Sequence, residues 1–142
     1  MNEHSLPKAL TALFGELIDG PPSSAAFMLN AGDPGLLASL DRLTAEAASA
    51  SVAGGATIAA HVDHLRYGLE LLNRWHAGEA NPWATADWSA AWRRTAVTDA
   101  EWRDLRAALA DQARKWHAAL SVQREMGPIE LNGVIASVAH LA

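Results

Sequence analysis

The chain of 142 residues has no cysteine, which excludes disulfide scaffolds, thiolate zinc sites and cysteine nucleophiles. Aromatic rings other than indole are scarce, with two Phe and one Tyr beside six Trp. Basic residues are outnumbered: 11 Lys and Arg stand against 16 Asp and Glu, a net charge of −5. Phosphate binding needs a basic face, so nucleic acid is not the expected partner. The densest basic cluster, Arg93-Arg94 with Arg103 and Arg106, is interleaved with acids and reads as a solvated face. No apolar run approaches the ~20 residues that span a bilayer, and Met1-Asn2-Glu3-His4 does not open a signal peptide. The expectation is a cytoplasmic protein with no membrane partner. What is abundant is alanine, 31 residues, which loses no side-chain entropy in a helix. The composition therefore points to an all-α domain of ordinary size, a single unit over 1–142.

Punctuation divides the chain into helices. Ser5-Leu6-Pro7 starts one, with Leu10, Leu13, Phe14, Leu17 and Ile18 at helical spacing, and Gly20-Pro21-Pro22 stops it. Residues 21–33 read as a loop with Phe27, Met28 and Leu29 tucked onto the core. Asp33-Pro34 opens a segment carrying Leu36, Leu37, Leu40 and Leu43 that fades around residues 48–51. After Gly54-Gly55 the most regular stretch runs from Thr57 to His76. Trp88 and Trp92, four apart, suggest a short helix capped by Thr85. Thr98-Asp99-Ala100-Glu101 is a capping box. Behind it Trp102, Leu105, Leu109, Ala113, Trp116 and Leu120 form one stripe of a second long helix. A last helix begins after Gly127-Pro128 and is still running, uncapped, at Ala142. Four substantial amphipathic helices plus short pieces in the connections predict a four-helix bundle.

Chemistry-bearing residues are mainly the six histidines. On the helix Thr57–His76, the residues Asp63, Arg66, Glu70, Asn73 and Arg74 make a polar arc, and Ile58, Val62, Leu65, Leu69 and Leu72 face away from it. His61 projects within the apolar side and His64 about 60° from it. Spacing of i, i+3 puts the two imidazoles on one face, close enough to share a small cation. A lone inward histidine is more often a hydrogen-bonded core residue, but two on one turn call for a cation, a carboxylate or solvent. His140 sits among Gly133, Ala136 and Ser137, small residues that leave room beside it or allow close helix packing. His4 and His76 lie at helix ends, and His117 beside the basic face of its helix reads as solvent-exposed.

Thr57-Ile58-Ala59-Ala60-His61-Val62-Asp63-His64-Leu65, together with the closing segment Leu131-Asn132-Gly133-Val134-Ile135-Ala136-Ser137-Val138-Ala139-His140-Leu141-Ala142, resembles the DinB/YfiT-like superfamily of small four-helix-bundle metalloenzymes. The resemblance covers the whole chain in the order and spacing of helices. It implies one divalent cation bound by a histidine of the second major helix and a His-x-x-x-His pair of the last. His64, or else His61, matches the first ligand and His140 the first member of the pair. The second member would fall four residues past His140, outside this sequence; the uncapped helix favours a chain that stops short over a lost ligand.

Two functions compete on these terms. The first is a metal-dependent enzyme using zinc or nickel, hydrolase-like or transferring a low-molecular-weight thiol. Neutral imidazole suits several transition metals. Trp75, Tyr67 and Trp88 would then wall a substrate pocket, with Trp83, Trp88 or Trp92 as a lid and Glu130 as a weak candidate base. The second is a non-catalytic homodimeric helical-bundle module for binding or stress response, whose apolar last helix forms the interface.

Overall fold

A computed structural model describes residues 5–23 and 25–142. It is all-helical, with no strand among the described residues. In chain order the helices are α1 (Ser5–Asp19), α2 (Gly35–Asp41), α3 (Ala45–Ala48), α4 (Ile58–His76), a 3-10 turn η1 (Ala91–Arg93), α5 (Asp99–Leu120) and α6 (Pro128–Leu141). No helix among the described residues is long and apolar enough to cross a membrane. The chain clusters into two compact units, Leu40–Ala113 and a second made of Met1–Ser39 with Arg114–Ala142. The long helix α5 contributes to both. His4 lies outside the described residues.

In the unit of Leu40–Ala113, caps and stripes place the helices. Thr57, itself buried, accepts the Ala60 N–H at 3.2 Å and starts α4. The capping box forms as the residue pattern requires: Glu101 N–H donates to Thr98 Oγ1 (3.2 Å) and Thr98 N–H to Glu101 Oε1 (3.3 Å). Trp102, Leu105, Leu109 and Ala113 of the α5 stripe are buried, and Trp102 Nε1 donates to Leu43 O at 2.9 Å. The segment expected to run on from Asp33-Pro34 is broken after Asp41. Thr44 accepts the Ala47 N–H at 3.1 Å and begins the separate short helix α3, which packs on α4. Trp88 and Trp92 are likewise not on an α-helix capped by Thr85. Turns lead into η1, because Asp87 takes the Ser89 N–H at 3.1 Å and sets up the tighter 3-10 geometry instead.

In the other unit α1 packs on α6. Phe14, Leu17 and Ile18 are buried, as are Trp116, Ala119 and Leu120 from the continuing α5 stripe. Trp116 Nε1 donates to Ser137 Oγ at 2.8 Å, and Ser137 Oγ donates onward to Val134 O at 2.6 Å. The loop after α1 departs from expectation. Phe27 and Met28 are not tucked inward but exposed, Phe27 to 80 %, and Leu29 is half-buried. The loop is held by its backbone: the buried Glu16 carboxylate accepts the N–H groups of Phe27 (3.0 Å), Met28 (2.7 Å) and Leu29 (2.8 Å). Gly20 and Gly35 (φ +85° and +81°) bring the two ends of the loop so close that a Cβ on either would strike the other strand's backbone. His117 is half-buried rather than solvent-exposed, stacked on Phe14 (6.2 Å between centroids) with Nε2 3.1 Å from Thr11 O. Helix α6 is buried along one face only. It buries Val134, Ser137 and Val138, an i, i+3, i+4 stripe, and leaves Ile129 84 % and Ile135 44 % exposed.

Candidate functional site

Helix α4 presents His61, His64, Tyr67 and Gly68 along one stripe, a consequence of the i, i+3, i+6, i+7 spacing. The chain after α4 folds back over this stripe. Pro82 is fully buried, and η1 packs on α4. Its indoles land on the histidines. Trp92 stacks on the face of His64, with centroids 4.7 Å apart and planes at 28°, and meets His61 edgewise at 5.1 Å and 79°. Trp88 lies 5.9 Å from His64 and 5.6 Å from Tyr67. Both indoles remain 42 % exposed, so this aromatic cluster forms part of the molecular surface. His61 is exposed rather than within an apolar face, and His64 is half-buried with Nδ1 out of contact with solvent.

Two polar contacts tie the flap of residues 83–94 to α4, and a third group braces it internally. Asp87 N–H donates to Tyr67 Oη at 3.1 Å. Within the flap, Arg93 donates to Asp87 Oδ2 (2.8 Å) and Ser89 Oγ (2.7 Å), while Ser89 Oγ donates to Asp87 Oδ1 at 2.6 Å. The Arg93 and Ser89 hydrogen bonds hold the Asp87 carboxyl down at about 2. At the far end Arg94 Nε donates to Asp63 Oδ2 at 3.1 Å.

Asp63 is the residue that the helical projection misplaced. It belongs to the polar arc by sequence, yet it is buried, because Arg66 (2.8 Å) and Arg94 both answer its charge. Burial pushes its carboxyl up, and the hydrogen bonds from Arg66 and Arg94 outweigh that, leaving it below the usual carboxylate range. Arg66 reaches on to Glu70 at 2.7 Å. Arg94, read from sequence as part of a solvated face, is half-buried here. The signal available beforehand was the acid–base spacing Asp63, Arg66, Glu70 along one helix, which permits i, i+3 and i, i+4 pairs.

The residues expected to line a site are thus distributed as follows. His64, Tyr67 and Trp88 come together, and Trp92 links His61 to them as the contact His61 and His64 share. Trp75 lies eleven residues along α4 from His64, about 16 Å by helical rise, and its ring pairs with Trp83 (6.2 Å). His140 is an exposed residue in the last turn of α6, in the other unit. Glu130 is exposed in the first turn of that helix. Among the described residues no three His, Cys, Asp or Glu side chains gather as a metal-holding group. His61 and His64 stand i, i+3 on α4, two imidazoles without a third His, Cys, Asp or Glu ligand gathered beside them among the described residues. A pocket of about 280 Å³, lined by Pro7, Lys8, Thr11, Ser121 and Gln123, contains none of these histidines.

The chain matches no protein-family model, no curated protein and no solved structure.

Proposed function

We propose that this chain is a cytoplasmic four-helix bundle of the DinB/YfiT-like kind that binds a divalent transition metal, zinc or nickel, at His64 and His61. Its chemistry on this reading is hydrolytic or the transfer of a low-molecular-weight thiol to a small molecule. The observation that carries the reading is the pair of imidazoles one helical turn apart, packed on a single indole at the protein surface. Contact with the Trp92 indole restricts both rings, so less rotamer freedom is left to lose when a cation binds. A bound ion would supply Lewis acidity at neutral pH. The chain's own residues would admit the substrate beside the exposed faces of Trp88 and Trp92 and orient the flap through Tyr67 Oη.

Metal analysis of protein purified without a histidine tag, followed by nickel titration of the wild type and of His64→Ala, tests the reading. Stoichiometric binding that His64→Ala weakens severely is the expected result. No metal on purification, with equal weak binding in both proteins, sinks it. His140→Ala in the same titration tests the third ligand that the sequence resemblance implies.

One observation favours the non-catalytic homodimer instead: the exposed Ile129 and Ile135 of α6, an apolar surface of the kind that interfaces cover. That reading predicts a dimer in sedimentation whose melting temperature a chelator leaves unchanged, whereas a metal bound to the native state raises it.

A further inference from the structure

The flap is anchored to α4 at more than one point, and the only residue it places against both histidines is Trp92 among the ring contacts described. Face-to-face stacking covers the π surface of His64 and leaves its ring edge clear of the indole. Imidazole nitrogens bind cations in the ring plane, along that edge. His61 meets the same indole at nearly a right angle, so one side chain restrains two rings in different planes. Trp92 in turn is held by its neighbours in sequence: Arg93 ties back to Asp87 and Ser89, and Arg94 ties to Asp63, which lies between the two histidines on α4. A 42 % exposed indole stabilises the core little, so the way it is anchored implies work at the surface.

We infer that Trp92 is a positioning residue for the histidine pair: its indole holds His61 and His64 in the geometry that receives a divalent cation, and the Asp63–Arg94 ion pair holds the indole. This rests on the reading of the pair as a metal site. Hydrogen-bonded partners that orient ligands from behind typically change metal affinity by roughly 10–100-fold when removed, and a ring that restrains the imidazoles by packing acts in the same direction.

The test is nickel titration of the full chain by calorimetry, with histidine ring signals in NMR spectra of the same samples. In the apo wild type the His61 and His64 ring protons are shifted by the indole's ring current, and Trp92→Ala returns them toward free-imidazole positions. The expected result is a loss of roughly 10-fold or more in nickel affinity for Trp92→Ala, most of it recovered in Trp92→Phe, which restores a stacking ring. Asp63→Asn falls between. Wild-type affinity in Trp92→Ala, with its histidine signals moved, overturns the positioning role and leaves the metal reading intact. A wild type that binds no nickel overturns both. Tighter binding in Trp92→Ala also overturns the inference, since the indole would then mask the pair.

Discussion

Among the described residues each compact unit buries one carboxylate, and the two are neutralised in different ways. Glu16 faces the backbone N–H groups of Phe27, Met28 and Leu29. Asp63 faces the guanidinium groups of Arg66 and Arg94. In the first case the charge orders a stretch of main chain whose side chains are free to point outward, which is why Phe27 is exposed. In the second it fixes one end of a flap whose side chains, Trp88 and Trp92, lie on the histidines. A buried charge therefore does not by itself mark a functional site; what it orders decides that. The same contrast runs through the tryptophans. Trp102 and Trp116 are core residues, each with its indole N–H satisfied, and Trp88 and Trp92 are surface residues that contact imidazoles.

The largest expected effects sharpen the contrast between indoles. Trp102→Ala and Trp116→Ala each remove a buried ring and should destabilise the fold by about 3–5 kcal/mol in urea denaturation. Trp88→Ala should leave stability nearly unchanged, since its indole is half outside. Equal losses for all three would erase the distinction.

The next effects compare the carboxylates. Asp63→Asn should cost about 2 kcal/mol by weakening two charge-assisted hydrogen bonds, and the loss should shrink in high salt because its arginine partners are partly exposed. Glu16→Gln should lower the melting temperature with little salt dependence, its partners being backbone amides. Acid separates them further. Hydrogen bonds from Leu29 and Met28, and then Phe27, hold the Glu16 carboxyl below its usual 4.5 against the opposing effect of burial. A depressed folded value means the stabilisation is complete above 4.5 and disappears as the pH falls through that lower value. For Asp63 the same loss begins below its usual 3.8. Melts between about pH 6 and about pH 3 should therefore lose the Glu16 contribution first, and Glu16→Gln should flatten that part of the curve.

The smallest effects come from two helical glycines. A Cβ on Gly15 would stand 2.9 Å from His117 Nε2, pushing the ring off Thr11 O, so Gly15→Ala should destabilise by about 1 kcal/mol despite its better helix propensity. A Cβ on Gly133 meets nothing within 4 Å. Gly133→Ala should stabilise by about 0.5–1 kcal/mol. Thermal melts of the pair settle the sign.

Much of the helix plan was legible in advance, and the candidate site only partly so. Periodicity and caps are local: Thr57, the Thr98–Glu101 box, Gly20-Pro21-Pro22 and the stripe from Trp102 to Leu120 act over one or a few turns. The i, i+3 placement of His61 and His64 follows from the same geometry. Trp92 as their shared contact does not, because η1 reaches α4 only through a return of the chain across residues 77–90. The misreadings of Asp63, Phe27 and His117 have one cause. Sorting residues by polarity sends polar ones outward and apolar ones inward, but burial depends on whether a distant partner arrives, as Arg94 does for Asp63, Thr11 O for His117, and Glu16 for the loop that carries Phe27.

Alanine abundance, punctuation and 3.6-residue spacing were enough to specify an all-helical chain and the bounds of its longest helices, since those interactions close within a few residues. Which side chains lie inside, which carboxylates are buried, and which indoles cover the histidines were decided only when segments tens of residues apart met, because satisfying a buried charge or stacking a ring needs a partner that local sequence does not name.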